Sequence, residues 1–208
     1  MIISTIQKLC LFLLSYCRLS ITHNLANILA ILLFSKKSKK YLVAEKNLSI
    51  CFTGKSKEWV ESTAKKSLKE YLKSLLESPY LYRVSKKNMN TLINKVHNEN
   101  IIEKYSGENK GIIFMTPHHG SWELSGLYVA SKIKTYNMFT QLRNNILNNF
   151  VFKGRKVPGA TLVDTDNNGV KKFIRALRHH CGLVILPDPT PNINHGVMSS
   201  FYCVPVID

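Results

Sequence analysis

Between residues 111 and 187, short apolar runs alternate with helical patterns at a spacing that leaves few folds open. Gly111-Ile112-Ile113-Phe114-Met115-Thr116 is an apolar run closed by Pro117, as expected of a buried strand. Trp122 to Lys132 then reads as helix, Tyr136 to Gln141 as strand and Ile146 to Arg155 as a weaker helix. Ala160 to Asp164 gives another strand, Val170 to His179 a helix, and Leu183 to Leu186 a last strand before Pro187. Strands that alternate with helices at this interval pair in parallel through crossovers, so the expected fold class is α/β, a largely parallel sheet flanked by helices. In such a sheet the chemistry collects where a strand ends and the next loop begins.

The first half of the chain has a different texture. Two apolar stretches, Leu9 to Cys17 and Leu25 to Phe34, are separated by Arg18, His23 and Asn24 and followed by Lys36, Lys37, Lys39 and Lys40. Neither stretch alone reaches the roughly 20 apolar residues of a spanning helix, and no small-x-small cleavage site follows. The expectation is an N-terminal membrane anchor over residues 1–35, one imperfect or tilted span, with residues 36–208 forming the α/β domain on the cytoplasmic side. A pair of buried core helices is the alternative reading of the same stretches. From Ser56 to Ser78, apolar positions Val60, Ala64, Leu68, Tyr71, Leu72, Leu75 and Leu76 recur at helical spacing; Ser56 suits the N-cap, and Pro79 is the expected stop.

Charge narrows the partners. The 208 residues carry 29 Lys+Arg against 13 Asp+Glu, a formal net charge of +16, and the excess is concentrated in the first half. Most of the basic residues are lysines, whereas base readout and bidentate phosphate recognition favour the guanidinium fork. This pattern disfavours nucleic acid as a partner and suits an anionic membrane surface, an acidic carrier protein or a phosphorylated lipid. The 5 cysteines are scattered, with no pair at metal-ligand spacing, which indicates reduced thiols and no zinc site.

The sharpest motif stands at the end of the first of these strands: Thr116-Pro117-His118-His119-Gly120-Ser121-Trp122-Glu123. His118 leaves the strand, and Glu123 falls near the first turn of the following helix. A carboxylate brought to an imidazole sets its tautomer and raises its basicity, so the other ring nitrogen can take a proton from a substrate hydroxyl. A histidine that merely caps a turn has the same spacing.

In context the block resembles the His-x-x-x-x-Glu motif of the lysophospholipid acyltransferase superfamily. More closely, it resembles the His-x-Gly-x-Trp-Glu form of the lipid A biosynthesis acyltransferase family, the lauroyl and myristoyl transferases. Asn47-Leu48-Ser49-Ile50-Cys51-Phe52 is similar to that family's Asn-Leu-x-x-Cys-Phe segment, with Thr53 where proline is frequent. Gln141-Leu142-Arg143-Asn144-Asn145 resembles its Arg-containing segment, Arg155 with Gly159 its Arg-x-x-x-Gly element, and Leu186-Pro187-Asp188 its Asp-centred block. Gly196-Val197 and Phe201-Tyr202 resemble its Gly-Val and Phe-Phe-Gly segments, with Cys203 in the place of the glycine.

The resemblance implies an acyltransferase that moves a fatty acyl group from an acyl carrier protein thioester to a hydroxyl of a lipid A precursor, at the cytoplasmic face of a bacterial inner membrane. It implies His118 as general base and Glu123 as its partner, with no metal or redox cofactor. A cation is needed where charge builds on the thioester oxygen; Arg155 is the first candidate and Arg143 the second, phosphate binding or a surface salt bridge being the other reading of each. Asp188 is expected to orient Arg155 or a substrate group, or simply to form a turn. Members of the family continue beyond the point that corresponds to Asp208, so the domain is expected to be incomplete at its C-terminus. The alternatives are a catalytically inactive membrane-associated homologue and an acyltransferase acting on another glycolipid or a lysophospholipid.

Overall fold

The computed structural model describes residues 2–188 and 196–207. The helices are α1 (Ile2–Tyr16), α2 (Leu19–Ser35), α3 (Lys39–Cys51), α4 (Lys57–Asn88), α5 (Asn100–Gly107), α6 (Trp122–Lys132), α7 (Asn145–Arg155) and α8 (Asn167–Arg178). The strands are β1 (Ile112–Met115), β2 (Thr135–Phe139), β3 (Ala160–Asp164), β4 (Gly182–Ile185), β5 (Met198–Phe201) and β6 (Val204–Ile207). They fall into two compact units, one formed by residues up to Cys17 with Ser78–Leu186, the other by Arg18–Glu77 with the residues from Pro187 onward.

The first unit holds the sheet, in the order β1-β4-β2-β3, and every pairing in it is parallel. Ile112 is in register with Gly182, Gly182 with Thr135, and Thr135 with Ala160, so the strands start on one line and release their following loops at one edge. Side chains alternate across the sheet. On one face, Phe173 and Ala176 of α8 pack with Val163 and Leu183, joined by Tyr136 and Met138. On the other, Phe139 meets Phe152 of α7 at 5.6 Å between ring centroids. Helix α8 is built for its place: the Asp166 side chain caps it by accepting from the Gly169 amide at 2.7 Å, and Arg175 and Arg178 stand in its last turn, where the helix dipole favours cations.

The α/β expectation with a parallel sheet flanked by helices therefore holds. One element differs from its expected boundary: α4 does not stop at Pro79 but runs through it to Asn88. A proline inside a helix costs ~3 kcal/mol. The turn beyond Pro79 carries Leu81 and Tyr82, 3% and 4% exposed. Burying two such side chains returns roughly 1.5–3 kcal/mol each, enough to offset the break.

In the second unit, α2 and α4 share a core through small residues. Ala26 and Ala30 of α2 join Ala64, Leu68 and Leu72 of α4 and Tyr41 of α3 in one buried cluster. The histidine that interrupts the apolar N-terminal region has a partner there: His23 Nε2 lies 2.9 Å from Glu77 Oε2. Strands β5 and β6 form an antiparallel hairpin whose turn residues, Tyr202 and Cys203, have φ of 50° and 60°. Two successive left-handed residues are the pattern of a type I′ turn, which favours glycine or asparagine; Cys203 stands where the resemblance would put glycine.

Among the described residues no single helix is long and apolar enough to cross a membrane. Helices α2 and α3 reach the length and composition only as a pair, bent by 79° at their break.

Gly154 of α7 is what lets Tyr82 lie flat against that helix, since a Cβ at this position would fall 2.2 Å from the Tyr82 ring. Gly154→Ala is therefore expected to lower unfolding free energy by about 1–3 kcal/mol, measured by urea titration, because neither helix nor buried ring has room to move.

Candidate active site at the end of the first strand

The loop after β1 is short and internally tied. The Thr116 amide donates to the Ile185 carbonyl at 3.0 Å, extending the β1–β4 ladder by one residue before Pro117 ends it. His119 N–H donates to the Pro117 carbonyl at 2.8 Å, and Gly120, with φ of +58°, turns the chain toward α6. His118 is exposed on this loop, its ring edge-on to Trp122 at 5.5 Å between centroids. Trp122 is the first residue of α6, so the helix that carries Glu123 also holds the imidazole in place.

Glu123 lies in the first turn of α6 and Arg155 in the last turn of α7. Each charge thus stands at the helix end that favours it. They meet as a fork: Arg155 Nε donates to Glu123 Oε2 at 2.9 Å, and Nη2 donates to Oε1 at 2.5 Å. The Glu123 side chain is 10% exposed and that of Arg155 29%, so the pair is largely withdrawn from water. The guanidinium carbon also sits 5.8 Å from the centroid of the Phe139 ring, within cation–π range. Burial works against the charge on Arg155, but its hydrogen bonds to Glu123 more than reverse that and hold its pKa above the ordinary arginine value.

Two further polar groups surround the fork. The Tyr82 hydroxyl is buried; desolvation first, then the Glu123 carboxylate, raises its pKa, and the tyrosine stays neutral. Asn137, at the middle of β2, lines a small cavity of about 50 Å³ together with Glu123, Arg155, Leu127 and Val184. Its Oδ1 is buried with no hydrogen-bond partner among the described residues, as is the hydroxyl of Ser121, the N-cap of α6. Among the described residues no cluster of His, Cys, Asp or Glu is arranged to hold a metal ion.

Of the residues singled out in the sequence, the structure brings Glu123 and Arg155 into direct contact and places His118 on the loop leading into the Glu123 helix. Arg143 is exposed in the loop between β2 and α7, next to Asn144, whose side chain caps α7. Asp188, exposed after β4, belongs to the other unit. Tyr82 and Asn137 were not legible as site residues. Tyr82 lies past the expected end of its helix, and only the polarity of Asn137 in the middle of its short strand marks it. An unsatisfied buried acceptor costs roughly 1–3 kcal/mol, so Asn137→Leu is expected to leave the chain as stable or about 1 kcal/mol more stable in urea denaturation. Destabilisation beyond what the altered shape explains would mean that the oxygen is satisfied by water.

The arrangement offers an exposed imidazole at a strand end and, beside it, a carboxylate locked to a guanidinium in a desolvated setting. Among curated proteins nothing matches the chain. The family model for bacterial lipid A biosynthesis acyltransferase matches residues 4–207, a span that takes in the His118 loop, the Glu123–Arg155 fork and the terminal hairpin. The chain belongs to the bacterial lipid A biosynthesis acyltransferase family.

Proposed function

We propose that the protein transfers a fatty acyl group from an acyl carrier protein thioester to a hydroxyl of a lipid A precursor. The observation that carries this reading is the position of His118, exposed at the C-terminal end of a parallel strand in a chain of this family, on the loop that leads into the helix bearing Glu123 of the Glu123–Arg155 fork. His118 takes the proton of the acceptor hydroxyl as its oxygen attacks the thioester carbonyl. The tetrahedral intermediate collapses with cleavage of the C–S bond, and the thiolate recovers the proton from the imidazolium. Arg155 serves this step through the N–H groups that its bond to Glu123 leaves over, aimed at the developing oxyanion, and Glu123 holds the guanidinium in place. Arg143 contacts substrate from the loop after β2, and Asp188 keeps its expected role as a carboxylate that orients a substrate group.

The membrane is the proposed site of action, at the cytoplasmic face of a bacterial inner membrane. In α1, Phe12 and Tyr16 are 58% and 62% exposed, and in α2 Ile28 and Ile31 are 57% and 55% exposed. Such runs of bare apolar side chains mark contact surfaces, and the lysines that follow suit an anionic leaflet. Acyl carrier protein, being acidic, is drawn by the same positive field.

The two parts of the site respond differently to substitution. His118→Ala changes an exposed side chain, so stability should stay within ~0.5 kcal/mol, while acyl transfer falls roughly 10²- to 10⁴-fold. Glu123→Gln leaves a buried guanidinium short of its counter-charge, and activity and stability should fall together, the latter by up to ~3 kcal/mol. Transfer from acyl carrier protein thioesters to a lipid A precursor, assayed beside urea denaturation, checks both. Undiminished transfer by His118→Ala defeats the proposed base. On the membrane reading, replacing Ile28 and Ile31 by glutamate is expected to reduce co-flotation with anionic phospholipid vesicles to a minor fraction of the wild-type level, with His118→Ala floating normally.

A further inference from the structure

A second cavity lies within the α2–α4 unit, and neither the site chemistry nor the fold requires it. It has a volume of about 810 Å³, well inside the range of roughly 300–1,000 Å³ typical of small-molecule sites. It runs along α3. Lys40, Ala44 and Leu48 follow one another at intervals of four residues, as do Val43, Asn47 and Cys51, so one side of the helix forms a continuous wall roughly 16 Å long. Leu68 and Tyr71 of α4 line the opposite side, and the hairpin closes the far end, where Tyr202 meets Phe52 at 5.0 Å between ring centroids.

The polarity of the cavity is graded. Most of its wall is aliphatic or aromatic, whereas Lys39 and Lys40 stand together at the N-terminal end of α3, Lys40 Nζ held 4.4 Å above the Tyr71 ring. No carboxylate lines the cavity among the described residues. The neighbouring depression on the other side of α3 differs in this respect, because there Lys37, Lys46, Lys55 and Lys57 are accompanied by Glu45 and Glu61. Two cations without a local counter-charge, set at one end of an apolar trough, are complementary to one kind of molecule.

We propose that this groove binds a single-chain anionic amphiphile, its hydrocarbon tail lying along α3 and its acidic headgroup between Lys39 and Lys40. The tail removes apolar wall from water and the headgroup supplies the missing negative charge. This site is independent of acyl transfer and of His118.

Cys51 reports on occupancy. It is half-buried in the groove wall, whereas Cys10, on α1, is exposed and lies outside the groove. The full chain, reconstituted in phosphatidylcholine nanodiscs, is treated with N-ethylmaleimide, and alkylation of each cysteine is followed by mass spectrometry. Lysophosphatidic acid at a few mole per cent is expected to slow Cys51 about fivefold while Cys10 changes by less than about twofold. Monoacylglycerol of the same chain length should protect clearly less and inorganic phosphate not at all. Val43→Trp, which fills the trough from an exposed position, should abolish the protection. Lys39→Glu with Lys40→Glu should remove the advantage of the acid over the neutral lipid. Equal protection by monoacylglycerol, protection by phosphate alone, or no selective slowing of Cys51 would each overturn the proposal. None of these readouts depends on catalysis, so an inactive His118→Ala chain should still show the protection.

Discussion

Parallel pairing is the constraint from which the sheet unit follows. Two parallel neighbours cannot be joined by a tight turn, so each of β1, β2 and β3 must be followed by a crossover before the next strand is laid down. Because Ile112, Gly182, Thr135 and Ala160 share one register line, every crossover begins at the same edge. The loop bearing His118, the loop bearing Arg143 and the segment leading to Asp188 are therefore products of one backbone rule. Helices lie on both faces of the sheet, α8 with its core on the face opposite Asn137, Phe139 and the fork, while Ile113 and Met115 of the edge strand β1 stay exposed.

The Glu123–Arg155 fork shows how that scaffold is used. A guanidinium this far from water would be costly alone, and a lone buried carboxylate equally so; the bidentate contact makes each tolerable. Helix ends contribute as well, since the carboxylate sits at an N-terminus and the cation at a C-terminus. Gly154 is part of the same arrangement. It admits the Tyr82 ring against α7, one residue before Arg155, and so sets the buried neutral hydroxyl beside the fork.

Much of this was legible in the amino-acid pattern, and the misses have physical causes. Strand β3 and helix α6 occupy the residues expected, and β1, β2, β4, α7 and α8 lie within a few positions of expectation, because short apolar runs alternating with amphipathic turns mark a parallel sheet with helices on its faces; β1 was expected to be buried, but as an edge strand it leaves Ile113 and Met115 exposed. Pro79 misled, since a local helix breaker was overridden by burial of Leu81 and Tyr82, which depends on tertiary partners that no window of sequence contains. The β5–β6 hairpin was also hidden: its turn uses Tyr202 and Cys203 in left-handed conformations, without the Asn-Gly or Gly-Gly signal that marks such turns. At the site, His118, Glu123 and Arg155 were all singled out, but the bond between the last two was not. They are separated by 32 positions, and only the crossover through β2 brings them together.

That separation bears on how the pair of His118 and Glu123 is to be understood. The short interval between them suggests a relay in which the carboxylate serves the imidazole. Yet both oxygens of Glu123 already accept from Arg155. A carboxylate oxygen has capacity for more than one donor, so the fork does not bar Glu123 from His118, but it does change what the carboxylate contributes. Held by a cation, it is a weaker acceptor for an imidazolium and a firmer anchor for the guanidinium. The net charge of the fork is near zero, and the ends of α6 and α7 fix where its two charges stand. In the geometry Glu123 is first of all the anchor that keeps Arg155 aimed and largely out of water, while the described neighbour of the His118 imidazole is the Trp122 ring, one residue before that carboxylate.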